Sequence, residues 1–235
     1  MRILAAFLAL ALGTFAPAAE KIRVLVLTGG HGFPKEPFFR MFAGNPEITF
    51  TSVEHTKGTA DGWERADLAA CDVIVLYDMP PAFTPAQQER FRSIFARGTG
   101  LVVLHHALVA DGSWPDYERI IGGIYPTKNP PGAPAVGYRH GVDIPVVVAN
   151  RHHPITAGFA DFTVNDEIYW GFRVGADVTP LLTTTQPESG KPLAWCRTEG
   201  KSRIVTLQLG HGQPCMDDPH YRDFLARSLR WAAPR

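Results

Sequence analysis

Four histidines of this chain each follow a short apolar run. They are His31 in "VLVLTGGHGF", the adjacent His105 and His106 in "GLVVLHHA", and His211 in "VTLQLGHG". A further stretch, "VNDEIYWG", sets Asp166 and Glu167 among apolar and aromatic neighbours. Imidazole titrates near neutral pH, so histidines beside a carboxylate suit general acid–base chemistry. The same side chains are good donors to a divalent metal, which leaves a metal open. No HExxH or comparably tight ligand spacing is present, so proton transfer is the better supported of the two. Any one of these histidines has an ordinary use as a satisfied core residue or a helix-start residue. The argument rests on the same residue type recurring at equivalent places.

Those places are set by the elements around them. Continuous apolar runs at 22–27, 72–78 and 101–104 read as strands covered on both faces. The stretch 48–54 alternates and is rich in β-branched residues, which also predicts a strand. A helix is predicted over 84–98, with Thr84 as cap, Pro85 in the first turn, Gln87 closing a capping box and Gly98 as stop. Further helices are predicted near 34–41 and 114–121 and from Asp218-Pro219 onward. The last carries the stripe Tyr221, Phe224, Leu225, Ser228 and Leu229. Strands are predicted at 142–150, 192–198 and 203–209, with a proline-rich loop over 125–138 before them. Strand–helix alternation predicts an α/β fold with a doubly wound, mostly parallel sheet in a single domain. The carboxyl ends of parallel strands share one edge, where ligands bind. His31, His105 and His106 belong there, and His211 joins them if its strand runs the same way. Tyr138, Tyr169, Trp170 and Trp114 could offer flat faces to a sugar ring. His55, His140 and His220 read as surface or locally hydrogen-bonding residues, and His152 and His153 as turn residues before Pro154.

Composition narrows the partners. The 235 residues carry 23 Lys and Arg against 23 Asp and Glu, with no basic stripe, so nucleic acid is a poor partner. Residues 1–18, "MRILAAFLALALGTFAPA", read as a signal peptide, with the domain occupying 19–235 and an exported, periplasmic or extracellular protein as the expectation. No later segment is long enough to span a membrane. Cys71, Cys196 and Cys215 make neither a disulfide framework nor a CxxC site, although Cys196 and Cys215 could bridge after export. There is no GxSxG elbow, no Walker A loop and no GxGxxG fingerprint, which sets aside serine hydrolases, P-loop enzymes and dinucleotide binders.

The stretches "VLTGGHGF", "GTGLVVLHHA", "HHPITAGF", "NDEIYW" and "RIVTLQLGH" resemble, in order and spacing, the ThuA-like (trehalose-utilisation) family. The resemblance runs from about Ile22 to Trp231 and implies a flavodoxin-like fold of the class I glutamine amidotransferase type. It also implies a link to disaccharide or 3-keto-sugar metabolism, with a small-molecule carbohydrate as partner. In amidotransferases the turn after the fourth strand carries a nucleophilic cysteine. The corresponding position here is His105, so glutaminase chemistry is not expected. The residues that fit the family's motifs are His31, His105, Glu167, Tyr169 and His211, of which His105, His31, Glu167 and His211 are expected to be catalytic and Tyr169 to bind substrate. His106, Asp166 and Trp170 join them as candidate binding residues. The alternative is a sugar-binding module that keeps the crevice without turnover.

Overall fold

The computed structural model describes residues 20–79, 82–110, 112–128 and 131–234. The signal peptide expected over 1–18 lies outside the described residues. The elements run β1 (Ile22–Gly29), α1 (Lys35–Ala43), β2 (Ile48–Glu54), α2 (Gly62–Arg65), β3 (Val73–Asp78), α3 (Pro85–Arg97) and β4 (Gly100–Leu104). A 3-10 turn (His105–Leu108) leads to β5 (Val109–Ala110), α4 (Pro115–Ile121), β6 (Gly123–Pro126), β7 (Gly137–Val148) and β8 (Phe162–Trp170). The chain closes with β9 (Arg173–Val174), β10 (Thr179–Thr184), β11 (Ala194–Glu199), β12 (Ser202–Leu207), α5 (Gln213–Asp217) and α6 (Pro219–Ala232).

One large sheet has the order β2-β1-β3-β4-β12-β11-β10-β7-β8. The pairings from β2 to β12 are parallel. Those from β12 to β8 are all antiparallel. The fold is α/β as expected, but the sheet is mixed rather than mostly parallel. The cause is local. The Glu199-Gly200-Lys201 turn is too short for a crossover, so β11 and β12 can pair only as a hairpin. The proline-rich loop expected over 125–138 is partly strand, because β6 takes its start and β7 begins at Gly137.

Alternate residues of the parallel strands feed two apolar layers. Val24, Val75, Val102 and Val205 face α1 and α6, while Leu25, Ile74, Leu101 and Ile204 face α2, α3 and α4. Each of these strands is buried on both sides, which is why the runs are continuously apolar. Helix α3 keeps its predicted signals: Thr84 and Gln87 close a capping box and Gly98 ends the helix at φ 83°. A cap of this kind contributes about 1 kcal/mol. The α6 stripe Tyr221, Phe224, Leu225, Ser228 and Leu229 is buried along its whole length.

Two expectations fail inside this core. Trp114 is not a platform at the surface. It packs against Phe83 and Phe91 at ring distances of 5.1 and 5.3 Å, beneath α3. His55 is not a surface residue. It is buried, with Nε2 2.8 Å from Asp78 Oδ2 and Nδ1 accepting the Gly62 N–H at 2.9 Å. The glycine-rich loop between β2 and α2 admits the ring, and Gly62 has no side chain to obstruct it. A Cβ there would lie 2.6 Å from Nδ1.

Candidate functional site

The strands β1, β3, β4 and β12 run the same way, so their carboxyl ends meet at one edge. His31 follows β1, His105 and His106 follow β4, and His211 follows β12 by the same edge. The order between β12 and β8 puts three strands between them. The antiparallel half nevertheless brings β8 back to the end of β12. The Asp166 carboxylate accepts the backbone N–H groups of Gly210 at 2.6 Å, His211 at 3.0 Å and Gly212 at 3.2 Å. A carboxylate holding three successive N–H groups fixes the loop that carries His211. Tyr77 secures the same loop from below, donating its hydroxyl to Gly210 O at 2.8 Å.

His105 sits at φ 43°, a left-handed conformation that costs a non-glycine residue about 1–2 kcal/mol. The turn throws its ring under the neighbouring strands, where it is wholly buried. Nδ1 lies 2.6 Å from Gln208 O. A carbonyl can only accept, so Nδ1 carries a proton. Nε2 then receives two claims: the Tyr169 hydroxyl at 3.0 Å and Glu167 Oε2 at 2.8 Å. Tyr169 also stacks on the ring at 4.8 Å and rests in turn on Tyr125 at 4.7 Å. Glu167 Oε2 has no donor aligned on it, although the His105 ring is in close charge contact. The position of the contact is thus clear, while its directional hydrogen bond is missing.

The remaining rings surround that carboxylate. His211 Nε2 is 4.0 Å from Glu167 Oε2, and His140 Nδ1 is 3.4 Å from Oε1. The rings of His211 and His140 are 4.5 Å apart, those of His106 and His211 5.4 Å, and those of His31 and His106 3.7 Å. His140 is exposed, in keeping with its reading as a surface or locally bonded residue, but its ring also faces Glu167. The register of β7 against β8 shifts between Arg139 and Val142, and Gly141 takes φ 66°. Such a bulge re-aims a side chain. The glycine after a histidine in "YRHGV" was the available sequence signal.

Burial sets the titration of the cluster. It lowers His31, His106 and His211 below the ordinary histidine value, and the neighbouring imidazoles push in the same direction. These rings are therefore neutral near pH 7, ready to accept a proton or a cation. Burial works to raise the Glu167 carboxyl, but the His105 contact, with the neighbouring His211 and His140 rings, outweighs it and holds it below its usual range. Burial raises the Tyr169 phenol, which stays a donor. The thiols offer no nucleophile. Burial lifts Cys71 and Cys196 to about 11 and Cys215 well above its usual value. All three are free, so Cys196 and Cys215 do not bridge.

The structure thus brings His31, His105, His106, Glu167, Tyr169 and His211 together, with Asp166 behind them. Trp170 is turned away. Successive residues of a strand point to opposite faces, and Trp170 packs on the layer that holds Ile168, whereas Tyr169 lies in the other. Tyr138 is exposed beside His140, at a ring distance of 5.3 Å. A cleft of about 760 Å³ opens next to the cluster, lined by His31, Lys57, Met79, Val109 and Thr127 among others. Gly30 shapes its wall at φ 82°, where a Cβ would fall 2.1 Å from Met79 O. Among the described residues, two sets of side chains could hold a metal, with donor atoms within 4.8 Å of one another: His105, His106 and His211, or His140, Glu167 and His211.

A model of the ThuA family, described as trehalose utilisation, matches residues 23–232. No curated protein sequence matches the chain. Among solved structures, the chain is similar to a ThuA-like protein from Parabacteroides merdae, with TM-score 0.80 and 18% identity over 92% of this chain and 91% of that one. It is also similar to a ThuA-like protein from Bacteroides uniformis, with TM-score 0.65 and 22% identity over 94% of each chain. A cytoplasmic protein from Salmonella typhimurium gives TM-score 0.60 and 12% identity over 90% of this chain and 99% of that one. At these identities the likenesses show the fold alone.

Proposed function

The chain belongs to the ThuA family, and from this premise we propose that it is an enzyme of carbohydrate metabolism acting on a disaccharide or 3-keto-glycoside by proton transfer. The family's description, trehalose utilisation, supports the substrate class. The observation that carries the chemistry is the group of imidazoles around the buried Glu167 carboxylate, with His31 at its edge lining the cleft.

A ketone acidifies the hydrogen on the neighbouring carbon. His31 lines the cleft, as does the buried His55, whose nitrogens are both committed to Gly62 and Asp78, and both His31 ring nitrogens lie against carbonyl oxygens, Gly32 O at 3.1 Å and Tyr77 O at 3.2 Å. In the neutral ring one lone pair therefore faces an acceptor, an arrangement that gaining a proton relieves. His31 takes the proton, and the C–H electron pair becomes an enolate. The C–O bond to the leaving group then breaks, and the proton passes from His31 to the departing oxygen. The keto oxygen faces the side of the site held by His211 and His140. His105 is too deeply buried to touch a sugar. It acts through Glu167, which it holds from beneath. Without an accessible thiol, glutaminase activity is not part of this proposal.

The test is kinetics on 3-keto-glycosides with the purified protein. A general acid or base typically contributes about 10²–10⁴ in rate, so His31→Ala should lower kcat/KM by at least about 10². His152→Ala, an exposed loop residue, serves as the control. Wild-type rates for His31→Ala on a confirmed substrate would remove the assignment. Binding of several sugars without turnover would replace the enzyme with a sugar-binding module. The proposal includes export, which intact-mass measurement checks: loss of residues 1–18 supports it and a retained Met1 overturns it.

A further inference from the structure

We propose that His140, Glu167 and His211 form a binding site for one divalent cation of the zinc class. The inference rests on the proposed function only for the use of the cation, which would face the keto oxygen. Binding itself is argued from the donor set.

The three donors come from separate elements that converge. His140 is on the bulge of β7, Glu167 is opposite it on β8, and His211 is on the loop that Asp166 fixes. His140 Nδ1 and Glu167 Oε1 are 3.4 Å apart, and His211 Nε2 is 4.0 Å from Oε2. Bonds of about 2.0–2.1 Å place the ligands of a tetrahedral zinc roughly 3.4 Å apart. One donor atom from each of the three residues lies within 4.8 Å of the others, so the ligands must close by up to about 1.4 Å, which movement of the exposed His140 ring and the half-buried His211 ring supplies. Two histidines and a glutamate also leave a fourth position open for a water or a substrate oxygen, as catalytic zinc sites do.

Glu167 supplies an independent sign. It is 3% exposed, yet Oε2 has no aligned hydrogen-bond donor. A buried carboxylate oxygen in that state is costly, and a cation beside the carboxylate relieves the cost.

The rival set, His105, His106 and His211, fits less well. His105 already commits Nδ1 to Gln208 O and Nε2 to the Tyr169 hydroxyl. Ligation through Nε2 would strip Tyr169 of its acceptor in a buried place. His105 is better suited to hold the carboxylate that ligates, the outer role that orients a metal's ligands.

The experiment uses untagged protein, stripped with chelator and titrated with Zn²⁺ by calorimetry and with Co²⁺ by visible absorption. One equivalent should bind. His140→Ala, His211→Ala and Glu167→Gln should each weaken binding by more than the 10–100-fold typical of outer partners, that is, by over about 100-fold. His106→Ala should stay within about threefold of the parent. His140 is exposed, so His140→Ala keeps the test valid if Glu167→Gln fails to fold. Binding unchanged in His140→Ala, binding lost in His106→Ala, or no stoichiometric binding would each overturn the site. The proposed function is judged separately. Turnover that survives chelator sinks the metal site and keeps that function, whereas one bound metal without sugar turnover does the reverse.

Discussion

Two buried histidine–carboxylate pairs lie along the same sheet edge, at the same 2.8 Å separation, and only one of them is surrounded by further imidazoles. In the pair of His55 with Asp78, each ring nitrogen has one partner of fixed role. Gly62 N–H donates to Nδ1, so Nε2 must carry the proton that Asp78 Oδ2 accepts. Asp78 Oδ1 is left without a partner, but the ring itself has a single satisfied state. In the pair of His105 with Glu167, Nε2 is claimed by both a phenol and a carboxylate, the backbone is left-handed, and other imidazoles crowd the carboxylate. The pairing chemistry is shared. What differs is the second ring nitrogen: His55 Nε2 meets one acceptor, whereas His105 Nε2 meets a hydroxyl and a carboxylate together and leaves Glu167 Oε2 without an aligned donor, which is what a cation can use.

The widest separation between the two pairs should come from substitution. Glu167→Gln is expected to lower kcat/KM on a keto-glycoside by about 10²–10⁴ while leaving the fold intact by circular dichroism. Removing one partner of a buried pair typically costs about 3–5 kcal/mol, so His55→Ala should lower the urea-unfolding free energy by that order and lower kcat less than Glu167→Gln does. If the two variants exchange these outcomes, the contrast is wrong and the reacting pair is His55 with Asp78.

A smaller effect should appear in the pH dependence of stability. His31, His106 and His211 are all held below the ordinary value of 6.5 by burial. Below that pH the unfolded chain binds protons that the folded chain refuses. Stability therefore falls as the pH drops through about 6.5 and continues falling toward the folded-state values. One fully depressed histidine contributes at most about 1.4 kcal/mol per pH unit in that window. Calorimetric Tm between pH 7 and pH 5 should decline, and His106→Leu should flatten the decline most, since His106 is shifted furthest. An identical slope in the variant would show that these rings do not govern acid stability.

Much of the molecule follows from local signals in the chain. Continuous apolar runs bounded by turns marked β1, β3 and β4, because strands buried on both faces need no alternation. The capping box and terminal glycine marked α3, because helix ends must satisfy their own backbone groups. Strand ends carrying imidazole marked one edge, because parallel strands share their direction. The histidine of the "VLHHA" turn was legible on those grounds, and the glutamate of "NDEIYW" as a charge interrupting an apolar, aromatic run.

Tertiary structure decided the rest. The hairpin of β11 and β12 turned half the sheet antiparallel, and only that reversal carries β8 back to the end of β12. His140 depends on a bulge, whose register exists only between two paired strands. His55 was unreadable for the converse reason: nothing near it in sequence shows that Asp78, 23 positions away, lies beneath it. The fate of Trp170 turned on one step of strand alternation. Side-chain types and their spacing limit what chemistry a chain can perform. Which donors face one another depends on pairings between distant segments, whose energies are not local to any of them.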